Sequence, residues 1–198
     1  MLLKDYIPNL HKKYHELSFN GIAFNSKEVK EGYIFFAFKG NNTNGNLFIK
    51  EAIKNGSRII ITDKLKTHVL KKNILFLKVK NPRNLLAKFS SKIYNKKPNN
   101  LIAVTGTNGK SSIANFYFQI LTINRIKSAT IGTLGVSGLK INKNYSNTTL
   151  DTIQINKILK KLKEKKIENV ILEASSHGLN QNRLDGLKFD IGIFTNLT

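Results

Sequence analysis

The sequence predicts an α/β fold with a largely parallel sheet, because β-branched apolar runs alternate along the chain with segments of helical period. Four runs have the length and branching of buried strands: Arg58 to Thr62, Ile74 to Val79, Leu101 to Thr105 and Asn169 to Leu172. A fifth, Phe189 to Phe194, reads the same way. Between the runs, Phe48, Ala52 and Ile53 stop at Asn55-Gly56, and Leu85, Leu86, Phe89 and Ile93 follow Pro82 near a helix start. Ile113, Tyr117, Ile120, Leu121 and Ile123 mark a helix directly after the third run, and Ile155, Ile158, Leu159 and Leu162 mark another before the fourth.

The stretch Asn95 to Asn100 carries no large apolar residue and separates a helix from a new strand, which predicts two domains, residues 1–96 and 97–198. Gly138 to Asn147, rich in Asn, reads as an exposed loop. The chain stops at Thr195-Asn196-Leu197-Thr198, straight after a buried-looking strand, so the second domain is expected to be incomplete.

With 198 residues and 40% hydrophobic content the chain can bury a core. Lys, Asn or Gly interrupts every apolar cluster before the roughly 18 consecutive apolar residues of a membrane helix. Lys4, Asp5 and Pro8 near the start, without a small-residue cleavage site, argue against a signal peptide, and the expectation is a cytoplasmic monomer without a membrane partner. The absence of cysteine excludes disulfides, thiolate metal sites and cysteine nucleophiles. A net charge of +21 points to nucleic acid or an anionic surface. The charge is mostly Lys, as in Lys160-Lys161-Leu162-Lys163-Glu164-Lys165-Lys166, and a joint excess of Lys, Asn and Ile fits drift in an AT-rich genome. Solvated helix faces are therefore preferred over a nucleic-acid stripe, although a nucleic-acid-binding ATPase module remains the alternative from another class.

Chemistry enters at Leu101-Ile102-Ala103-Val104-Thr105-Gly106-Thr107-Asn108-Gly109-Lys110-Ser111-Ser112, a buried strand running through a glycine turn into an amphipathic helix. Gly106 and Gly109 let the backbone turn N–H groups toward a phosphate, the helix start adds partial positive charge, and Lys110 offers a cation. Ser111 would place its hydroxyl on Mg²⁺. The general G-x-x-x-x-G-K-[ST] pattern wants Gly where Val104 stands, so the strict motif fails while Gly-Lys-Ser is intact. A strand-to-helix turn with two chance glycines explains the order of parts less well. Downstream, Glu173-Ala174-Ser175-Ser176-His177-Gly178-Leu179-Asn180-Gln181-Asn182-Arg183 puts a carboxylate at the carboxyl end of a parallel strand, where ligands of open α/β sheets bind. Position alone leaves Glu173 evenly open between a Mg²⁺ ligand and a surface glutamate. No nucleophile elbow surrounds Ser175 or Ser176, so His177 does not read as part of a hydrolase triad.

The variant Thr-Gly-Thr-Asn-Gly-Lys-Ser resembles the ATP loop of the Mur ligases and of folylpolyglutamate synthase. Glu-Ala-Ser-Ser-His-Gly-Leu, with Gln181 and Arg183 after it, resembles the signature of the MurE-type branch and is much the more specific of the two. Asn147-Thr148-Thr149 is similar to that branch's Asn-Thr-Thr segment, although Leu150 stands where Pro or Gly is usual. A separate resemblance covers the first domain: Asn25-Ser26-Lys27-Glu28-Val29, Gly32 to Gly40, Asn44-Gly45, Phe48-Ile49 and Ala52 to Gly56 look like the uridine-binding domain of MurE-type and MurF-type ligases. There the usual Asp-Ser-Arg is Asn-Ser-Lys, and on pattern alone Phe35 to Phe38 is a plain core strand.

The resemblance implies an ATP- and Mg²⁺-dependent amide ligase of peptidoglycan precursor synthesis. Its substrates would be UDP-N-acetylmuramoyl-L-alanyl-D-glutamate and a diamino acid, joined through an acyl phosphate. By the same resemblance Gly106, Thr107, Asn108, Gly109, Lys110, Ser111 and Ser112 hold nucleotide, and Ser111 and Glu173 hold metal. Lys110 and Glu173 serve catalysis, with His177 as an orienting residue. Phe24, Ser26, Asn41, Asn42, Thr43, Asn147, Thr148, Thr149, Ser175, Gln181 and Arg183 contact the sugar peptide. The family's central domain continues to an Asp-His pair and a carbamylated lysine, and a third domain selects the amino acid. None of these lies in the 198 residues, so this piece alone is expected to bind ligand poorly. A MurF-type step or a non-catalytic nucleotide-binding remnant are the nearer rivals.

Overall fold

The computed structural model describes residues 1–40, 43–138 and 148–197. The chain divides into two compact units, Met1–Phe89 and Ser90–Thr198, with the division inside a helix, and each unit has its own sheet.

The first unit contains β1 (Gly21–Ala23), β2 (Tyr33–Ala37), α1 (Ile49–Lys54), β3 (Ile59–Thr62), β4 (Val69–Lys71) and β5 (Ile74–Lys78), followed by α2 (Pro82–Ile93). The strands lie in the order β1-β2-β3-β5-β4, parallel except for β4, which forms a hairpin with β5. Lys72 and Asn73 at φ 49° and 60° make the left-handed two-residue turn that matches strand twist. Alternation sorts β2 into two faces: Phe35 and Ala37 join Ile60 and Ala52 in one core, while Phe36 turns to the other. There Phe89 of α2 meets Phe36, Tyr6 and Phe19 at ring-centroid distances of 5.4, 4.8 and 5.7 Å.

The second unit contains β6 (Asn100–Thr105), α3 (Lys110–Ile123), β7 (Ser128–Gly132), β8 (Gly135–Ser137), α4 (Thr152–Glu164), β9 (Asn169–Glu173), α5 (Ser176–Asn180) and β10 (Ile191–Phe194). Its sheet runs β10-β6-β9-β7-β8, parallel apart from the β7–β8 hairpin. Leu101, Val170 and Leu172 face Ile155, Ile158, Leu159 and Leu162 of α4. Ile102, Val104 and Ile171 alternate to the opposite face and pack on Ala114 and Tyr117 of α3. Asp151 caps α4 by accepting the Gln154 N–H at 2.9 Å.

The apolar runs and helical periods of the sequence stand as strands and helices here, with one difference in character. The run Phe189 to Phe194 was expected to be buried, yet β10 leaves Ile191 53% and Phe194 63% exposed. It pairs with β6 on one side only and forms the edge of the sheet among the described residues, so half its backbone and much of its side-chain surface lack a neighbour. Among the described residues no helix is long and apolar enough to cross a membrane.

Because three rings converge on Phe89, Phe89→Ala is expected to cost about 3–5 kcal/mol of stability. Urea unfolding checks it: the midpoint should fall at unchanged slope. A loss under about 1 kcal/mol would show that the cluster is not central to the first unit.

Candidate functional site

In the second unit, β6 lies between β9 and β10, so the loop leaving its carboxyl end is flanked by the carboxyl ends of both neighbours. The loop is short. β6 ends at Thr105 and α3 begins at Lys110, with Gly106 at φ 135° and Gly109 at φ 82° making the turn. A side chain at Gly106 would place its Cβ 2.0 Å from Thr195 Oγ1 and 3.0 Å from Asn196 N, so only glycine fits there. Lys110 folds back over the loop, its Nζ donating to Gly106 O at 2.6 Å and Thr107 O at 2.9 Å. An ammonium has three protons, so one stays available for a ligand. Ser112 is exposed on the first turn of α3.

Glu173 closes β9 and is buried at 3% exposure. Its Oε2 accepts from Ser111 Oγ at 3.0 Å and Thr133 Oγ1 at 2.9 Å, and its Oε1 accepts the Thr133 N–H at 3.1 Å. Every one of these donors is neutral. Gly132 brings the β7 backbone so close that an added Cβ would sit 2.1 Å from Glu173 Oε1. A buried carboxylate ordinarily has a cationic partner. Here hydroxyl oxygens surround it beside a glycine loop, the hard-oxygen setting that suits a magnesium ion sharing its coordination with phosphate and water. No group of three or more His, Cys, Asp or Glu side chains able to hold a metal occurs among the described residues, so a metal here depends on such mixed ligation.

A second cluster adjoins Glu173. Thr149 is 2% exposed; its Oγ1 donates to Glu173 O at 2.9 Å, accepts the Ser175 N–H at 3.0 Å and lies 3.0 Å from Ser175 Oγ. Ser175 Oγ in turn caps α5 by accepting the Gly178 N–H at 3.1 Å. Thr148 Oγ1 lies 3.0 Å from Thr133 Oγ1. Arg183 uses its fork within the protein: Nε and Nη2 donate to Gln181 Oε1 at 3.1 and 2.8 Å, and Nη1 donates to Thr149 O. With that oxygen occupied, the Gln181 amide nitrogen faces His177 Nε2 at 2.7 Å, which makes Nε2 the acceptor. Burial pulls the Arg183 guanidinium below its ordinary range, and the Asp151 charge opposes the shift.

The candidates of the first unit form a group of their own. Ser26 is 5% exposed and donates to Glu51 Oε2 at 2.7 Å, while Asn25 Oδ1 accepts the Lys27 N–H and Asn55 Nδ2 donates to Ser26 O. Phe24 stacks on Phe38 at 6.1 Å and 18°, and the Arg83 guanidinium lies 4.9 Å over the Phe38 ring. Thr43 O accepts the Gly40 N–H at 2.7 Å. Asn41, Asn42 and Asn147 fall outside the described residues.

The structure adds three residues to the site that sequence reasoning missed. Thr133 follows β7, whose Ser-Ala-Thr-Ile-Gly lacks a continuous apolar run and was not read as a strand. Thr195 and Asn196 follow β10 and reach the glycine loop. The available signal was positional: each follows a parallel strand, at the carboxyl edge where the loop lies.

A strand, a glycine-turned loop and a helix, backed by a buried carboxylate from the adjacent strand, form the arrangement of phosphate-loop α/β proteins. Two family models narrow that class, one described as "Mur ligase family, catalytic domain" over residues 18–94 and one as "Mur ligase middle domain" over residues 104–198. The chain belongs to the Mur ligase family. It is similar to the UDP-N-acetylmuramoyl-L-alanyl-D-glutamate--2,6-diaminopimelate ligase of Rickettsia montanensis, 43% identical over 96% of this chain and 40% of the relative. The ligase of the same name from Brucella melitensis is 38% identical over 92% of this chain and 37% of its own length. A solved structure of a ligase of that name covers 100% of this chain and 40% of its own, with a TM-score of 0.82 and 26% identity. A MurF ligase from Thermotoga maritima, solved in complex with ADP, shares the fold at a TM-score of 0.52 and 22% identity over 91% of this chain and 38% of its own. The chain thus spans about 40% of the length of these relatives.

Thr149 ties Glu173 to Ser175 through one hydroxyl, so Thr149→Val is expected to cost about 1–3 kcal/mol, the penalty for stranding buried polar partners. Thr149→Ser, which keeps the hydroxyl, should lose less than half as much in chemical denaturation. Equal losses would assign the residue's role to its methyl group.

Proposed function

We propose that the protein carrying this chain is a cytoplasmic ATP-dependent ligase that adds a diamino acid to UDP-N-acetylmuramoyl-L-alanyl-D-glutamate. The observation that carries this reading is Glu173, buried yet held only by neutral donors, one of them the serine of the Gly-Lys-Ser loop. The names of the relatives supply the substrates, and the family supplies the reaction.

On this reading the substrate carboxylate attacks the terminal phosphorus of ATP and ADP leaves with the broken P–O bond. The amine of the diamino acid then adds to the carbonyl of the acyl phosphate, loses its proton and expels inorganic phosphate. Lys110 keeps one ammonium proton for the terminal phosphate while the other two fix the loop carbonyls. Ser111, Glu173 and the Thr133 hydroxyl would hold magnesium, which when bound neutralises phosphate charge. Arg183 spends three of its five N–H groups on Gln181 and Thr149, and the remaining two suit a peptide carboxylate of the acceptor, while Thr149, its hydroxyl proton committed to Glu173 O, positions Ser175 and Arg183 beside Glu173. His177 and Gln181 orient Arg183 through the chain of bonds described above. In the first unit, the Phe24–Phe38 stack with Arg83 above it offers an aromatic and cationic platform for uridine diphosphate. Ser26, Thr43, Asn41 and Asn42 are assigned to the same ligand.

The test supplies the full gene product with ATP, magnesium, the UDP-linked dipeptide and diaminopimelate or lysine. ADP should form, and mass spectrometry should find a product heavier by one diamino acid residue. Lys110→Met should lower the rate roughly a hundredfold or more, since it removes a preorganised cation from the transferring phosphoryl group. No ADP formation by the intact protein with these substrates would overturn the reading. ADP formation only with D-alanyl-D-alanine as the added group would move it to the MurF step.

A further inference from the structure

We propose that Thr195 and Asn196 are positioning residues that hold the glycine loop in its phosphate-ready shape before nucleotide arrives, an inference that rests on the phosphate-loop reading above. Four hydrogen bonds join this pair to the loop and its strand. The Thr195 N–H donates to Thr105 O at 2.9 Å and extends the β10–β6 ladder by one step. Thr195 Oγ1 donates to Asn108 O at 2.6 Å. Asn196 O accepts the Thr107 N–H at 3.1 Å, and Asn196 Oδ1 accepts the Asn108 N–H at 3.0 Å.

These contacts decide which amides remain for an anion. The N–H groups of Thr107 and Asn108 are committed to Asn196 and do not cradle phosphate. The first α-helical bond of α3 runs from the Ile113 N–H to Gly109 O at 3.0 Å, so the amides of Lys110, Ser111 and Ser112 precede it and have no intrahelical partner. Phosphate is therefore gripped by the first turn of α3, next to Ser111 and Lys110, while the earlier half of the loop is structural.

The strap also answers an entropic difficulty. Gly106 and Gly109 allow the turn but give the free loop many conformations, and ordering it at the moment of binding would weaken affinity. Lys110 closes the loop from one side by holding Gly106 O and Thr107 O. Thr195 and Asn196 close it from the other, so three of its four residues, Gly106, Thr107 and Asn108, are held from outside the loop. The two hydroxyl- and amide-bearing side chains touch only backbone of the loop, which assigns them to positioning rather than to contact with reacting atoms.

Hydrogen exchange of the nucleotide-free full gene product tests this directly. The amides of Thr107 and Asn108 should be protected, and Asn196→Ala should release Asn108. In the same protein, Asn196→Ala and Thr195→Val should each raise the dissociation constant for MgADP, and KM for ATP, roughly tenfold. Thr195→Ser should retain near-native affinity, and KM for the UDP-linked acceptor should not move. Exchange of Thr107 and Asn108 at the rate of an open loop in the unmutated protein would overturn the inference, as would unchanged MgADP affinity in both variants. If the unmutated protein binds no MgADP at all, the phosphate-loop reading falls together with it; normal binding with indifferent variants sinks the strap alone.

Discussion

Everything at the site follows from the parallel placement of β6 between β9 and β10. Parallel strands put their carboxyl ends on one edge, so segments far apart in sequence meet there without any loop having to find them. Val104 is in register with Glu173 on one side and Ile193 on the other. That register brings residues 106–111, 173 and 195–196 into hydrogen-bonding distance, and β7, paired with β9 on its other side, adds Thr133. The helices serve this arrangement. Packing of α3 and α4 on opposite faces, through alternating residues of the same strands, fixes the register, because a slip by one residue would turn each apolar set toward the wrong helix.

Within that frame Glu173 is the expensive group. Burying a carboxylate costs several kcal/mol unless charge or hydrogen bonds compensate it. Ser111, the Thr133 hydroxyl and the Thr133 amide supply hydrogen bonds but no charge. A fold gains nothing in stability from this choice over an apolar residue at the end of β9, where Glu173 follows the buried aliphatics Val170, Ile171 and Leu172. The residue makes sense as a prepared site for a cation brought with phosphate. In the first unit Ser26 likewise donates to a carboxylate, but Glu51 is only half-buried and keeps contact with water, so burial does not press it toward a cation.

The sequence carried the fold well and the site unevenly. Apolar alternation revealed the strands that are buried on both faces, such as β3, β6 and β9, because nothing polar dilutes their pattern. It missed β7, where Ser128, Thr130 and Gly132 interrupt the signal, and with it Thr133. It also reads β10 as buried, whereas among the described residues β10 pairs on one side only and stays exposed. The helical period of the lysine run in α4 was legible: Leu162 turns inward while Lys163 reaches Glu168 at 2.7 Å and Lys161 and Lys165 stay exposed. Lys110 and Ser111 stand out by the order of strand, glycine turn and helix, whereas position alone leaves Glu173 open and only the family resemblance favours it; the structure puts Ser111 Oγ 3.0 Å from Glu173 Oε2. Arg183 was legible as a fork but not as to its partners, for Gln181 and Thr149 lie on segments that only the fold brings together.

The departure at Val104 from the strict phosphate-loop pattern has a physical reason in this geometry. In the general pattern the first glycine opens the loop, five residues before the second. Here Val104 is still inside β6, fully buried against α3 and paired with strands on both sides, so a glycine there would leave a hole in the core and weaken the ladder. The chain turns two residues later at Gly106, and only four residues separate strand from helix. A loop that short has little slack with which to wrap a phosphate by itself. Its shape is instead imposed from outside, by Lys110 folding back from the helix and by Thr195 and Asn196 reaching across from β10. The missing glycine and the outside strap are therefore two sides of one solution, in which sheet register takes over work that a longer glycine-rich loop does with its own backbone.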